Sequence, residues 1–385
     1  MVFSLKMYIE ICKDVIEDAI AKSGQKINDS LDLLQLLALF SSKGNHIVSV
    51  PCLLNDLALT QDLVNVAGSS FVRKLRRSEG KFYMLQSIKP VLSTYCLVTY
   101  SDNKKVDNRA IVYNPTRMQR FEPFLRTKLI TENILDAVFF NYIAHFYLRK
   151  TLFTDVRIRF EATPGGGSTT CDVVKHEILE KRRFCLVIVD SDKKYPNQPN
   201  YGDTARKIVD VIGQYPSDVC KHYVMENVME VENLIPHRIV RKYASEKSDS
   251  EVLNRNVAFY DMKIGLTLKG LYNDYVFHYL SEEFSELDYS QRNEAKSYTR
   301  CRDDYEQYID DHHLVNVLKK GFGSDLLKIV TCACDENGKI RYPELEDEMK
   351  NKIIQEDLTA EQQIEWENIG SLMFSWMCGL APKNY

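Results

Sequence analysis

Residues 184–192, FCLVIVDSD, form an unbroken apolar run that ends in two acids one residue apart. A short run of this kind predicts a strand buried on both faces, as the strands of parallel sheets are. The neighbouring segments have the same character. Upstream, VRIRFEA (156–162) predicts a strand, PGGGS (164–168) a glycine loop and 169–181 a helix. Downstream, KKYPNQPNYG (193–202) predicts a loop and 203–215 a helix. KHYVMENVME (221–230) then predicts a third strand, which leads into VENLIP (231–236). Apolar strands that alternate with helices predict an α/β unit with a parallel, doubly wound sheet.

Before this unit the chain reads as mainly helical. In 6–22 the residues Ile9, Cys12, Val15, Ile16 and Ile20 fall on one helical stripe. A second helix is expected from the Asn28-Asp29-Ser30 cap to Phe40, with further helices at 53–57 and 69–77. KFYMLQSI (81–88) reads as a strand. Helices followed by strands suggest a winged helix-turn-helix, in which Ser69, Ser70, Arg73, Lys74, Arg76 and Arg77 would face phosphates. The same residues also suit a helical docking domain with a solvated basic face. STYCLVTYS and RAIVYN, on either side of the polar loop 102–108, read as a hairpin, and 129–150 as a long amphipathic helix. From about 250 onward the pattern is mostly helical, with His312 and His313 on a polar face beside a stripe of Tyr308, Leu314 and Leu318. The expected division is therefore 1–95, 96–150, an α/β core at 151–270, and a helical region at 271–385.

Composition narrows the function. The 385 residues carry 50 Lys+Arg against 54 Asp+Glu, a net charge of −4, with 44% hydrophobic and 27% charged residues. These values are close to those of ordinary globular proteins, and they exclude a disordered chain and a uniformly basic nucleic-acid binder. A local basic groove is still allowed. The 10 cysteines include no CxxC pair and no zinc-finger spacing, so buried thiols in a reducing cytosol are expected; Cys332-x-Cys334 is the one close pair. No run of 18 apolar residues occurs, so neither a membrane span nor a membrane partner is expected. There is no Walker A motif and no G-x-S-x-G elbow.

In an open parallel sheet, ligands bind outside the carboxyl ends of the strands. Acids fall at three such ends: Glu161, Asp190 with Asp192, and Glu230 with Glu232. A D-x-D after a strand can aim two carboxylates at one hard cation, and a glycine loop before a helix offers N–H groups to phosphate, here Gly165, Gly166, Gly167 and Ser168. Each piece also has a plain structural use, as a solvated acid, a turn or a cap.

FEATPGGGS, VIVDSDK and EVENLIP together resemble the Toprim-type catalytic domain. The nearer likeness is to the stand-alone and overcoming-lysogenization-defect nuclease branch of bacterial antiphage defence. The resemblance covers about 150–270, less than a third of the chain. It departs from the family where the glycines follow Glu161 almost at once, so either a strand is missing or the loop does another job. What the resemblance implies is a metal-binding set of Glu161, Asp190, Asp192 and Glu232, with Glu161 also as general acid/base. Asp172 would be either a group supporting the metal ligands from behind or a second-metal ligand, and Lys263 would stabilise phosphorane charge. Mg²⁺ or Mn²⁺ would be the cofactor. The expected function is a metal-dependent endonuclease of DNA or RNA acting as a cytoplasmic defence effector, with a homo-oligomer or a regulatory ATPase as partner. The alternative is a non-catalytic Toprim-like scaffold or sensor that binds nucleic acid and recruits a partner. A third reading is a DNA-binding regulator working through the amino-terminal helices.

Overall fold

The computed structural model describes residues 7–42, 46–76, 82–101, 107–118, 127–153, 156–180, 183–244, 250–267, 317–332 and 342–380. The chain folds as two compact units. Unit 1 is Met1–Ile188, Ile208–Tyr223 and Glu367–Tyr385; unit 2 is Val189–Lys207 and Val224–Trp366.

The amino-terminal part of unit 1 is a four-stranded parallel sheet. It contains β1 (Tyr8–Ile11), β2 (Ile47–Ser49), β3 (Tyr95–Val98) and β4 (Ala110–Tyr113) in the order β2-β1-β3-β4. Helices α1 (Lys13–Ala21), α2 (Asp29–Ser42), α3 (Cys52–Asn55), α4 (Leu57–Ala67), α5 (Ser69–Leu75) and α6 (Phe82–Val91) connect the strands. Val15, Ile16, Leu34, Leu37, Leu63 and Leu75 are fully buried, each worth ~1.5–3 kcal/mol of transfer free energy.

This sheet corrects four expectations. Residues 8–11 are a strand and not the start of a helix: Tyr8, Ile9 and Ile11 are buried between β2 and β3, and their spacing coincides with the stripe of α1 behind them. Residues 82–91 are helical, because reaching β3 from β2 across β1 requires a long crossover. No winged helix forms among the described residues, and Arg73 and Lys74 lie in α5. The expected hairpin is a parallel pair, with Tyr95 opposite Ala110 and Val98 opposite Tyr113. Arg109 explains the return of the chain: its guanidinium donates to the carbonyls of Pro90 and Leu92, both at 3.0 Å, which fixes the start of β4 beside the end of α6.

The second four-stranded sheet contains β5 (Lys128–Thr131), β7 (Glu161–Pro164), β8 (Cys185–Val189) and β9 (Cys220–Val224) in the order β7-β5-β8-β9. Helices α8 (Ile134–Lys150), α9 (Thr170–Glu180) and α10 (Asp203–Gln214) join these strands; α7 (Pro115–Met118) precedes β5. The α/β class therefore holds, and both sheets wind the same way, with the first strand second in order. The expected helix at 129–150 divides into β5 and α8 at Asn133. The Asn133 side chain accepts the Leu135 N–H at 3.1 Å, and Asp136 accepts the Asn133 N–H at 2.7 Å, a capping box.

The expected strand 156–162 also divides. Val156–Ile158 is β6, which pairs antiparallel with β12 (Cys378–Leu380), and the chain then enters the main sheet as β7. Glu161 is thus the first residue of a strand and not its end. From Glu367 on, the helix Ala360–Met377 packs in unit 1, with Phe374 stacked 5.2 Å from Phe153 and Trp376 edge-on to Phe184 at 5.9 Å.

Unit 2 begins where β8 ends. It holds the turn after Val189, the segment 224–236, α11 (His237–Tyr243), the antiparallel pair β10 (Gly265–Thr267) and β11 (Val317–Lys320), α12 (Leu326–Cys332) and the first turns of Ala360–Met377, here α13. Leu318, expected on a helical stripe, lies in β11. Tyr308, His312, His313, Leu314, Arg77, Cys301 and Cys334 lie outside the described residues. No disulfide joins the described cysteines, and among the described residues no helix is long and apolar enough to cross a membrane.

Candidate functional site

β8 is buried along its whole length and delivers Asp190-Ser191-Asp192 into a tight turn of unit 2. Ser191 is the fully buried pivot. Its hydroxyl donates to the Val228 carbonyl at 2.7 Å and accepts the Lys193 N–H at 3.2 Å. Asp190 Oδ1 accepts the Val231 N–H at 3.0 Å, and the Asp192 N–H donates to the Met229 carbonyl at 3.0 Å. Asp192 has φ of +53°, a left-handed conformation that Asp tolerates better than most residues. The Gly202 N–H closes the loop on the Ser191 carbonyl at 2.8 Å, and a Cβ at Gly202 would stand 2.3 Å from Asp192 Oδ2. Lys193 pairs with Glu226, which Tyr201 also reaches through its hydroxyl.

The segment carrying Glu230 and Glu232 is fixed from behind. The Asn233 side chain accepts the Glu230 N–H at 2.9 Å and donates to the carbonyls of Val257 and Tyr260 at 2.7 and 2.8 Å. From α13, Gln362 donates to the carbonyls of Asn233 and Ile235, and Trp366 donates its indole N–H to that of Leu234. Glu365 accepts the Asn227 backbone and side-chain N–H groups, both at 2.8 Å. Glu230 and Glu232 are only 3% and 5% exposed.

Lys263 stands between these two carboxylates, with Nζ 2.7 Å from Glu230 Oε2 and 3.5 Å from Glu232 Oε2. Its backbone is held on both sides. Asp261 Oδ1 accepts the Lys263 and Ile264 N–H groups at 3.0 and 2.8 Å, and the Gly323 N–H donates to the Lys263 carbonyl at 3.0 Å. Gly321 packs so closely that a Cβ there would lie 2.5 Å from the same carbonyl.

The electrostatics follow from burial. Loss of solvent raises the carboxyl of Glu230 well above its ordinary range; the charge of Glu232 adds to this and Lys263 offsets part of it. Burial likewise raises Glu232, opposed by Lys263, and Asp192, opposed first by Lys194 and then by Lys263. Burial works against the Lys263 ammonium, but the charges of Glu232, Glu230 and Asp190 outweigh it and push that group upward. The acids Asp190, Asp192, Glu230, Glu232 and Asp261 thus outnumber the ammonium groups acting on them, Lys263 and, at Asp192, Lys194. Glu230 Oε1 is buried and has no hydrogen-bond partner.

The expected site is brought together only in part. Asp190, Asp192, Glu232 and Lys263 share unit 2, whereas Glu161 belongs to unit 1. Glu161 is in register with Lys128, which is also in register with Cys185. Arg183 takes the Glu161 carboxylate at 2.8 Å. Among the described residues no three His, Cys, Asp or Glu side chains form a metal-holding group. Asp172 lies in the first turn of α9, also in unit 1.

The glycine loop has a structural use. The Gly165 and Gly166 N–H groups donate to the carbonyls of Thr131 and Glu132 at 2.7 and 3.0 Å, so neither is available to phosphate. Gly165 carries Thr170 against it, where a Cβ would lie 2.3 Å from Thr170 Oγ1, and Gly166 and Gly167 have φ of +78° and +63°. Ser168 is exposed in the 3₁₀ turn that follows.

Magnesium is often held by only one or two carboxylates, completed by water and phosphate. The hard oxygen donors of Glu230 and Glu232, together with the unpartnered Glu230 Oε1, fit such a cation. Sequence reasoning named Glu230 only as an acid near a strand end and missed Ser191, Asn233, Asp261 and the α13 residues. Asp261, two residues before Lys263, was the nearest legible signal, because Asp is a common cap of its own following turn. No family model, curated protein or solved structure matches this chain.

Proposed function

We propose that unit 2 carries the active site of a divalent-cation-dependent phosphodiesterase acting on DNA or RNA. The observation that carries this reading is the buried Glu230–Lys263–Glu232 cluster beside Asp190, at the carboxyl end of a parallel strand. The likeness of VIVDSDK and EVENLIP to Toprim-type nucleases supports it, and so does the surplus of carboxylates over cations.

In this reading Glu230 and Glu232 would hold the Mg²⁺ or Mn²⁺, and Asp190 would orient the backbone between them through the Val231 N–H. The bound cation supplies Lewis-acid activation of water and charge stabilisation at the phosphate. Lys263 places its ammonium against a non-bridging phosphate oxygen, where negative charge grows in the transition state. Asp192, on the turn after β8, is the general acid for the leaving oxygen in this reading. Ser191 and Asn233 orient these groups without touching substrate.

The test is cleavage of plasmid, single-stranded DNA and structured RNA with Mg²⁺ or Mn²⁺, against the same reactions in EDTA. Metal-dependent cleavage that is lost in E230Q and D190N supports the reading. Binding of nucleic acid with no cleavage under any metal favours the scaffold alternative.

A further inference from the structure

We infer that Lys263 is a resident counter-cation which a divalent metal displaces, so that ammonium and metal alternate on Glu230 and Glu232. This rests on the phosphodiesterase reading and adds a mode of regulation to the same site. Three observations carry it. Glu230 presents two oxygens of unequal status: Oε2 is paired with Lys263, while Oε1 is buried without a hydrogen-bond partner. A single positive charge therefore occupies a place whose donors suit a double one. The Lys263 main chain is clamped by Asp261 and Gly323 and crowded by Gly321, so the side chain alone has room to move. That side chain is 35% exposed, which leaves its four-carbon stem a route out of the cluster toward solvent.

The exchange explains how two glutamates remain buried before metal arrives, since an uncompensated buried charge is strongly unfavourable. It also means that the ammonium becomes free for phosphate only when metal has taken its place. Metal binding and phosphate recognition are then coupled through one side chain.

The test uses the full-length protein and Mn²⁺ alone, with no nucleic acid. Mn²⁺ affinity is read by electron paramagnetic resonance in wild type, K263M, K263R and E230Q. K263M is expected to bind Mn²⁺ about tenfold tighter than wild type, K263R within about threefold of it, and E230Q more weakly. K263M should also melt below wild type in EDTA and recover when Mn²⁺ is added. In wild type, Mn²⁺ should raise labelling of Lys263 by an amine-reactive reagent several-fold over other lysines, as read by peptide mass spectrometry; this arm does not depend on the variants folding. Mn²⁺ affinity in K263M equal to or below that of wild type, or Lys263 labelling unchanged by Mn²⁺, overturns the exchange. A protein that exchanges Lys263 for Mn²⁺ but cleaves nothing refutes the hydrolytic reading alone. One that cleaves while K263M gains no affinity refutes the exchange alone.

Discussion

Asp190 Oδ1 accepts the backbone N–H of Val231 at 3.0 Å, so the acid at the end of β8 is joined to the residue lying between Glu230 and Glu232. The carboxylate therefore has two duties, an orienting hydrogen bond and a negative charge, and two substitutions separate them. Asp190→Asn keeps an acceptor and removes the charge. It should melt at or above the wild-type temperature, because one of several like charges is gone, and lose at least about a hundredfold in metal-dependent cleavage. Asp190→Ala should lose the same activity and also about 1 kcal/mol of stability. Wild-type activity in D190N sinks the catalytic role.

Gly202→Ala tests the shape of the D-S-D turn. Its Cβ would meet Asp192 Oδ2 at 2.3 Å and Asp192 Cβ at 2.4 Å, so the aspartate has to move. A loss of about 1–3 kcal/mol is expected in urea unfolding, as for other overpacked sites. Cleavage at a temperature where the variant stays folded should fall as well. An unchanged midpoint with full activity would contradict the placement of Asp192.

Trp366 is fully buried, and its indole N–H satisfies the Leu234 carbonyl at 3.0 Å. Trp366→Phe removes the donor but keeps most of the ring, and should cost about 1–3 kcal/mol. Trp366→Ala adds a cavity and should cost about 3–5 kcal/mol. Circular dichroism during urea unfolding measures both; a Trp366→Phe variant as stable as wild type would show that the hydrogen bond contributes nothing.

Acid should weaken unit 2 through Glu348. Burial alone would raise this carboxyl, but hydrogen bonds from Lys242, Tyr243 and Arg238 outweigh it and hold the group below the usual range. A depressed carboxyl contributes stability above its unfolded pKa of about 4.3, and that contribution fades as pH falls through the lower folded value. Glu348→Gln should cost about 2 kcal/mol at neutral pH, less than a fully buried pair because Lys242 and Arg238 are partly solvated. The gap in melting temperature between wild type and E348Q should close between about pH 5 and pH 3. A gap that stays constant over this range rules out the linkage.

Legibility in the sequence followed locality. β8 was plain because a strand buried on both faces has no other reading at that length, and the acids after it were plain for the same reason. β1 was hidden because Ile9 and Cys12 happen to extend the spacing of Val15 and Ile16 in α1. β5 was hidden because only Thr131, Glu132 and Asn133 separate Leu129 and Ile130 from the apolar run of α8. The parallel pairing of β4 depends on Arg109 reaching Pro90 and Leu92, a long-range choice that no hairpin rule contains. In the site, Asp190 and Asp192 were readable from a three-residue motif. The Glu230–Lys263 pair spans 33 positions and the α13 contacts with 227–235 span more than 120, so nothing in local spacing announces them. Glu161 was misassigned because a break at Arg159 and Phe160 passes the chain from the β6–β12 ribbon to β7.

The pairing of β6 with β12 also bears on biosynthesis. Phe153 and Phe184 lie against Phe374 and Trp376, and Val156–Ile158 finds its strand partner only at 378–380. At ~5–20 residues per second, the roughly 190 residues between Phe184 and Trp376 take about 10–40 s to synthesise. Throughout that interval the nascent chain carries an apolar sheet face and an unpaired strand, the features that chaperones bind and that aggregates grow from. Expression at reduced temperature with abundant chaperone should therefore raise the recovery of intact chain.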